Sequence, residues 1–232
     1  MHSTESLSSD VIILDYEPTT KPAKGTSLFQ GTKRSPNSYR LYQNNPDRWN
    51  DYSLGYKWAL KVLLKQATTV GMHPNEDHYY PILFVFRQYL ELRLKNLIIN
   101  LNSYLGEKEN YKGHKLKILW NNCHRLIIKF FSSGDNDLEE DPQIEADFYN
   151  DLKLIGKFIL ELNSIDEDAQ STRYPENKKQ QPFFSPKNSP IIDVNHFSEI
   201  VNWIVPVLDI IQEMIDEQYQ QRCAILDEMR SD

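Results

Sequence analysis

Two cysteines, Cys123 and Cys223, are all that this 232-residue chain carries, and they lie a hundred positions apart. They form neither a disulfide framework nor a CxxC pair, and a reducing compartment is the simple reading. Glycine is scarce at 8 residues, which argues against an all-β protein with many tight turns. No long uncharged apolar run exists. The most apolar stretch, 82–101, is interrupted by Arg87, Glu91, Arg93 and Lys95, so no membrane span is expected. The N-terminus, MHSTESLSSD, has no cationic segment leading into an apolar one, so no secretory signal is read and the expected location is the cytoplasm. An excess of basic charge is also missing. The net charge of −7 excludes a chain that is basic throughout, as a general nucleic-acid binder would be.

Hydrophobic residues make up 40% and aromatic residues 12% of the chain, enough to build a core. The length suits one domain with an appendage. Charge is uneven. Between Lys21 and Arg48 stand six basic residues and one acid, Asp47, whereas 135–147 is acidic. A local basic strip of this kind is able to meet phosphate.

Residues 1–49 read as an irregular arm, with Ser and Thr clusters and four prolines. Helical periodicity takes over from there. One helix is expected from Asn50 or Asp51 to about Thr69, with Trp58, Leu60, Val62, Leu63 and Leu64 as its apolar face. A second runs from Tyr80–Pro81 to about Ser103 and is apolar nearly all round, which places it in the middle of a bundle. A third spans His114 or Lys115 to Phe131, and a fourth spans Pro142 to Asn163. The last runs from Asn195 to Met229, with Pro206 expected to kink or break it. Residues 164–193 are polar and aperiodic, and long loops of this sort are often functional. The expected fold is therefore all-α: an up-and-down bundle of about five helices over 50–232, behind the arm.

Three groups of residues carry candidate chemistry. Arg87, Glu91 and Lys95 recur every fourth residue and so share one face of the second helix. They make either a salt-bridge ladder that holds neighbours in register or a polar cleft in which Glu91 orients an arginine. His114, after Gly113, stands at the start of the third helix. It is either a capping and packing histidine or a proton acceptor. Arg173, followed by Tyr174 and Pro175 in the long loop, offers a planar fork to a carboxylate or phosphate, or else pins the loop to Glu91 or to the acidic fourth helix. No metal site is expected: Cys123 and His124 diverge on a helix, and the histidines show no ligand spacing. No cofactor is expected either: no phosphate-binding glycine loop or Rossmann pattern is present, and no GxSxG marks a serine nucleophile.

Taken in order, Arg87-x3-Glu91-x3-Lys95, then Gly113-His114-x-Leu116-x2-Leu119-Trp120, then Arg173-Tyr174-Pro175 resembles bacterial members of the HEPN superfamily. Asn45-Pro46-x-Arg48-Trp49 and Tyr52-x3-Tyr56-x-Trp58-Ala59 fit the same resemblance, which covers roughly 45–180. It implies an up-and-down helical bundle, often dimeric, of the kind found in toxin–antitoxin, antiviral-defence and abortive-infection systems. Active members are metal-independent RNases marked by Arg, four to six residues, then His. None of the nine arginines here has a histidine at that distance. The resemblance then implies a non-catalytic component of a defence or stress system that binds RNA, a nucleotide or a companion protein, as a homodimer or in a complex. Its cleft would be formed by Arg87, Glu91, Lys95, His114, Arg173 and Tyr174. Two other readings stand beside it. One is a divergent RNase toxin using His114 and Arg173. The other is a purely structural interaction subunit docking through the polar end of its last helix, 212–232.

Overall fold

A helix that is apolar on every side has to be surrounded, and the second helix is. In the computed structural model, α2 (Tyr79–Leu105) buries sixteen side chains distributed around its whole circumference. The structure describes residues 24, 26–27, 47–69, 79–132, 142–185 and 189–231. The chain divides into two units, Met1–Arg48 and Trp49–Asp232, and the helical bundle belongs to the second. The irregular arm expected over 1–49 falls almost wholly outside the described residues.

Around α2 stand α1 (Arg48–Ala67), α3 (Leu116–Phe131), α4 (Pro142–Ile165) and α5 (Val194–Ser231) in an up-and-down arrangement. α3 packs on α2, α4 on α3, and α5 also on α2. There is no strand among the described residues, only an isolated bridge between Glu176 and Pro182. No helix among them is long and apolar enough to cross a membrane.

Apolar spacing sets these faces. α3 buries Leu116, Leu119, Trp120, Cys123, Leu126 and Ile127 at intervals of three and four. α5 buries Val201, Ile204, Leu208, Ile211 and Ile215 in the same way. A chain of edge-on aromatic contacts, Tyr104–Phe130–Phe131–Phe148, with centroids 4.6 to 5.0 Å apart, links α2, α3 and α4.

Two expectations need correction. α1 does not present Trp58 and Val62 to the core: both are exposed, while Leu60 and Leu64 are buried. At 100° per residue, positions 58 and 62 share one side of a helix and 60 and 64 share the opposite one, so five apolar residues did not define one face. Of the kink or break expected at Pro206, the break is absent, since α5 continues through the proline. The proline is exposed, and so is Asn202 one turn earlier, whose carbonyl loses its helical donor.

Loop geometry sets up the site. Gly106, at φ +69°, turns the chain out of α2, and Gly113, at φ +93°, turns it into α3. α3 has no cap from its own Lys115 side chain. Instead Asn163 of α4 reaches across, and its Oδ1 accepts from the Lys117 N–H at 3.1 Å. His114 therefore lies just ahead of the helix and is free to take another role.

Candidate functional site

Tyr80, Phe84, Arg87, Glu91 and Lys95 are spaced by three or four residues and share one face of α2. Three of the five are charged and buried: Arg87 is 1% exposed, Glu91 2% and Lys95 7%. Burying charges without partners is prohibitively costly, so the neighbouring groups decide the arrangement.

Every nitrogen of Arg87 is occupied. Nη1 donates to Glu91 Oε2 at 3.1 Å, Nη2 to the His114 carbonyl at 2.5 Å, and Nε to the Asp166 carbonyl at 3.2 Å. The Asp166 carboxylate lies 3.4 Å from the same Nε. Glu91 Oε1 in turn receives Lys95 Nζ and faces His114 Nδ1, both at 2.8 Å. Two cations and two carboxylates thus balance inside the bundle. Burial pushes the Glu91 carboxyl up, but the Lys95 ammonium and the His114 ring outweigh it and hold the carboxyl below the ordinary value of 4.5.

His114 couples this interior to the surface. Its side chain is 71% exposed although Nδ1 is anchored on a buried carboxylate. Because Glu91 offers an acceptor, Nδ1 carries the hydrogen, and in the neutral ring the lone pair belongs to Nε2. The residue is held at both ends: by Glu91 at the side chain and by Arg87 at the main chain.

Asp166 does the corresponding work for the long loop. Its Oδ1 accepts the main-chain N–H groups of Gln170 and Ser171 at 2.6 and 2.9 Å, and its Oδ2 accepts the Thr172 hydroxyl at 2.8 Å. One buried carboxylate folds the segment 166–172 back on itself and ties it to α2 through Arg87. Ala169, at φ +58°, sits in the left-handed region within this turn and aims its carbonyl at Arg173 Nε, 2.5 Å away.

Arg173 does not reach Glu91 and makes no ion pair among the described residues. Apart from the bond to Ala169, its guanidinium lies over two rings, 5.7 Å from the centroid of Phe84 and 5.9 Å from that of Tyr174. It stands at the wall of a cavity of about 290 Å³ lined by Tyr80, Ser171, Thr172, Arg173, Tyr174, Pro175 and Phe184. The lining holds three aromatic rings, one cation and no acid. Its two aliphatic hydroxyls already donate elsewhere, Ser171 to the Ile165 carbonyl and Thr172 to Asp166.

The six residues singled out in the sequence therefore divide. Arg87, Glu91, Lys95 and His114 form one hydrogen-bonded cluster. Arg173 and Tyr174 form a separate pocket. The cluster and the pocket are joined through Asp166 and the common face of α2. Sequence reasoning missed Asp166 and the aromatic lining from Tyr80 and Phe184. The only signal for Asp166 was an aspartate followed at four to six residues by Gln170, Ser171 and Thr172, inside a stretch that looked merely polar. Among the described residues no three His, Cys, Asp or Glu side chains gather to hold a metal ion. No family model, curated protein or solved structure matches this chain.

Proposed function

We propose that this chain is a non-catalytic, HEPN-like binding component of a bacterial defence or stress system. On this reading it takes a nucleotide, free or at the end of an RNA, in the pocket beside Arg173. The order of the three motifs along the chain supports the superfamily part of the reading. One observation carries the ligand part: a guanidinium already oriented by Ala169 and two rings, with no carboxylate on it, faces a cavity walled by aromatic side chains. A planar fork suits phosphate, and Tyr80, Tyr174 and Phe184 suit a base. Pre-orientation reduces the ordering cost of binding.

Calorimetric titration with AMP, ATP, adenosine and a short single-stranded RNA tests this. Binding should require phosphate, and Arg173→Ala should weaken it by about tenfold or more, the scale of a charge-assisted hydrogen bond. Equal binding of adenosine and AMP, or no binding of any of the four at millimolar concentration, would refute the assignment.

A divergent RNase is the second reading, favoured by the His114–Glu91 contact at 2.8 Å, which fixes a proton-accepting Nε2 at the surface. Under that reading His114→Ala abolishes cleavage of a labelled RNA. Equal cleavage by the variant and the parent, or none by the parent, removes it.

A further inference from the structure

When the Arg173 pocket does the binding, the exposed member of the neighbouring cluster, His114, is left without a role. Its ring stands in solvent on a carboxylate that is itself buried. Nδ1 is engaged by Glu91 Oε1 at 2.8 Å, so the ring cannot turn without stripping a partner from a buried charge. The main chain is fixed as well, since the His114 carbonyl accepts from Arg87 Nη2 at 2.5 Å. Only Nε2 remains open, with the lone pair of the neutral ring on it. An imidazole nitrogen presented in this way is a nucleophile as well as a base.

His196 on α5 supplies a comparison within the same chain. The side chains of His114 and His196 are equally exposed, at 71%. Nδ1 of His196, however, lies 3.9 Å from Glu199 Oε2, beyond hydrogen-bond reach, and that carboxylate is exposed too. Tautomer and ring orientation are therefore fixed at 114 and unfixed at 196. The surroundings of His114 also favour an incoming anion. Lys95 Nζ shares Glu91 Oε1 with the ring, so an ammonium stands beside it. Lys112, two residues earlier, is exposed and makes no ion pair among the described residues. α3 begins two residues later, and its positive end favours negative charge at this point. Lys115 adds nothing, because Glu167 and Asp168 engage it.

We propose that His114 is a phosphoryl-acceptor site, its Nε2 taking a phosphoryl group from a small donor with a labile phosphorus–nitrogen or acyl–phosphate bond. The lone pair of Nε2 attacks phosphorus. The Nε2–P bond forms as the P–N or P–O bond of the donor breaks, and the leaving group departs with the electron pair as ammonia or as a carboxylate. The hydrogen on Nδ1 stays where it is. The ring therefore becomes an imidazolium, and its new positive charge arises 2.8 Å from the Glu91 carboxylate. Glu91 is a positioning residue here, fixing the tautomer before the step and balancing the ring afterwards. The negative charge of the phosphoryl group is met by Lys112 and the start of α3. The proposal rests neither on what the Arg173 pocket binds nor on RNA cleavage.

Incubation of the full chain with potassium phosphoramidate, and separately with acetyl phosphate, tests this, and the two arms show which bond the site opens. Site-resolved mass spectrometry follows each histidine over time. His114 should be phosphorylated about tenfold or more faster than His196, the effect of an anchored over an unanchored ring. Coupling between ³¹P and ring ¹⁵N should place the phosphorus on Nε2 of His114. Glu91→Gln, at a temperature where circular dichroism shows it folded, should bring His114 down toward the rate of His196 and leave His196 unchanged. The parent protein decides the matter without any variant: equal rates at the two histidines, no transfer from either donor, or phosphorus on Nδ1 overturns the proposal. So does a folded Glu91→Gln chain in which His114 reacts as fast as in the parent.

Discussion

Asp166 meets Arg87 twice at one nitrogen: its main-chain carbonyl accepts from Nε at 3.2 Å and its carboxylate lies 3.4 Å away. The same carboxylate folds the turn that presents Arg173. Asp166→Asn keeps one acceptor for the turn but loses the charge beside Arg87. It is expected to cost about 2–3 kcal/mol, as for a lost charged hydrogen bond. It should also lower affinity at the Arg173 pocket, although Asp166 does not line it. Arg173→Ala should lower affinity alone. Urea melts and calorimetry on both variants separate these effects. If Asp166→Asn leaves affinity intact, the link between cluster and pocket is severed.

Glu91 gives an acid-side prediction. Its carboxyl is held below the ordinary 4.5, so its contribution to stability is present above that value and is lost as pH falls through the lower folded-state value. Glu107 and Glu167, lowered by Lys129 and Lys115 respectively, act in the same direction at the surface, so the variant must be compared with the parent. Glu91→Gln should destabilise the chain at pH 7 by about 3–5 kcal/mol, the usual consequence of stripping one partner from a buried ion pair. The difference between the two melting curves should shrink below pH 4.5. A constant difference from pH 7 to pH 3 would show that the charge on Glu91 is not what matters.

Periodicity made the five helices legible, because each needs an apolar side every three to four residues. It failed on α1 because nothing in a run such as Trp58 to Leu64 says which of two apolar sides faces inward. The stripe Arg87, Glu91, Lys95 was legible as one face, but its partners were not. Asp166 and the His114 carbonyl come from segments distant in sequence, and a backbone carbonyl leaves no mark in a residue pattern. Arg173 was legible as a residue of interest, yet the expected contact to Glu91 is replaced by Ala169 and two rings. Aromatic residues in a chain this rich in them read as core, and only the fold separates Tyr80 and Phe184 from it.

Gly156 on α4 backs directly onto Trp120 of α3. A methyl group at position 156 would sit 2.6 Å from Trp120 Nε1 and 3.2 Å from Cε2. Real side chains do not approach so closely, so Gly156→Ala must push the indole aside. Overpacking of this kind costs about 1–3 kcal/mol, more than the helix propensity of alanine returns. A lower melting temperature with a shifted tryptophan emission is expected. Trp120→Phe in the same chain should relieve much of the added penalty in a double-mutant cycle, and additive losses would mean that the helices do not touch there.

Tyr89 supplies the alkaline counterpart. Its ring is 0% exposed, and its hydroxyl has no hydrogen-bond partner. Arg93 lies over the ring at 5.9 Å without donating to the oxygen in good geometry, because its terminal nitrogens go to Asn50 and Asp209. Burial pushes the phenol from 10.0 up to about 12, with the Arg93 charge opposing the shift. A raised value means that the neutral phenol is the form the fold retains. The stability this represents is complete below pH 10 and is lost as pH rises toward 12. Tyr89→Phe removes both the orphaned hydroxyl and the titration. At neutral pH it should therefore be neutral or stabilising by up to about 1 kcal/mol, since the buried oxygen gains nothing there. Above pH 10 the variant should keep its melting temperature while the parent falls. Tyr89→Ala, by contrast, should cost about 3–5 kcal/mol through the cavity it leaves. If Tyr89→Phe is destabilising by more than about 1 kcal/mol, the oxygen has a partner, and a buried water bridging it to Arg93 Nε would be the group to look for.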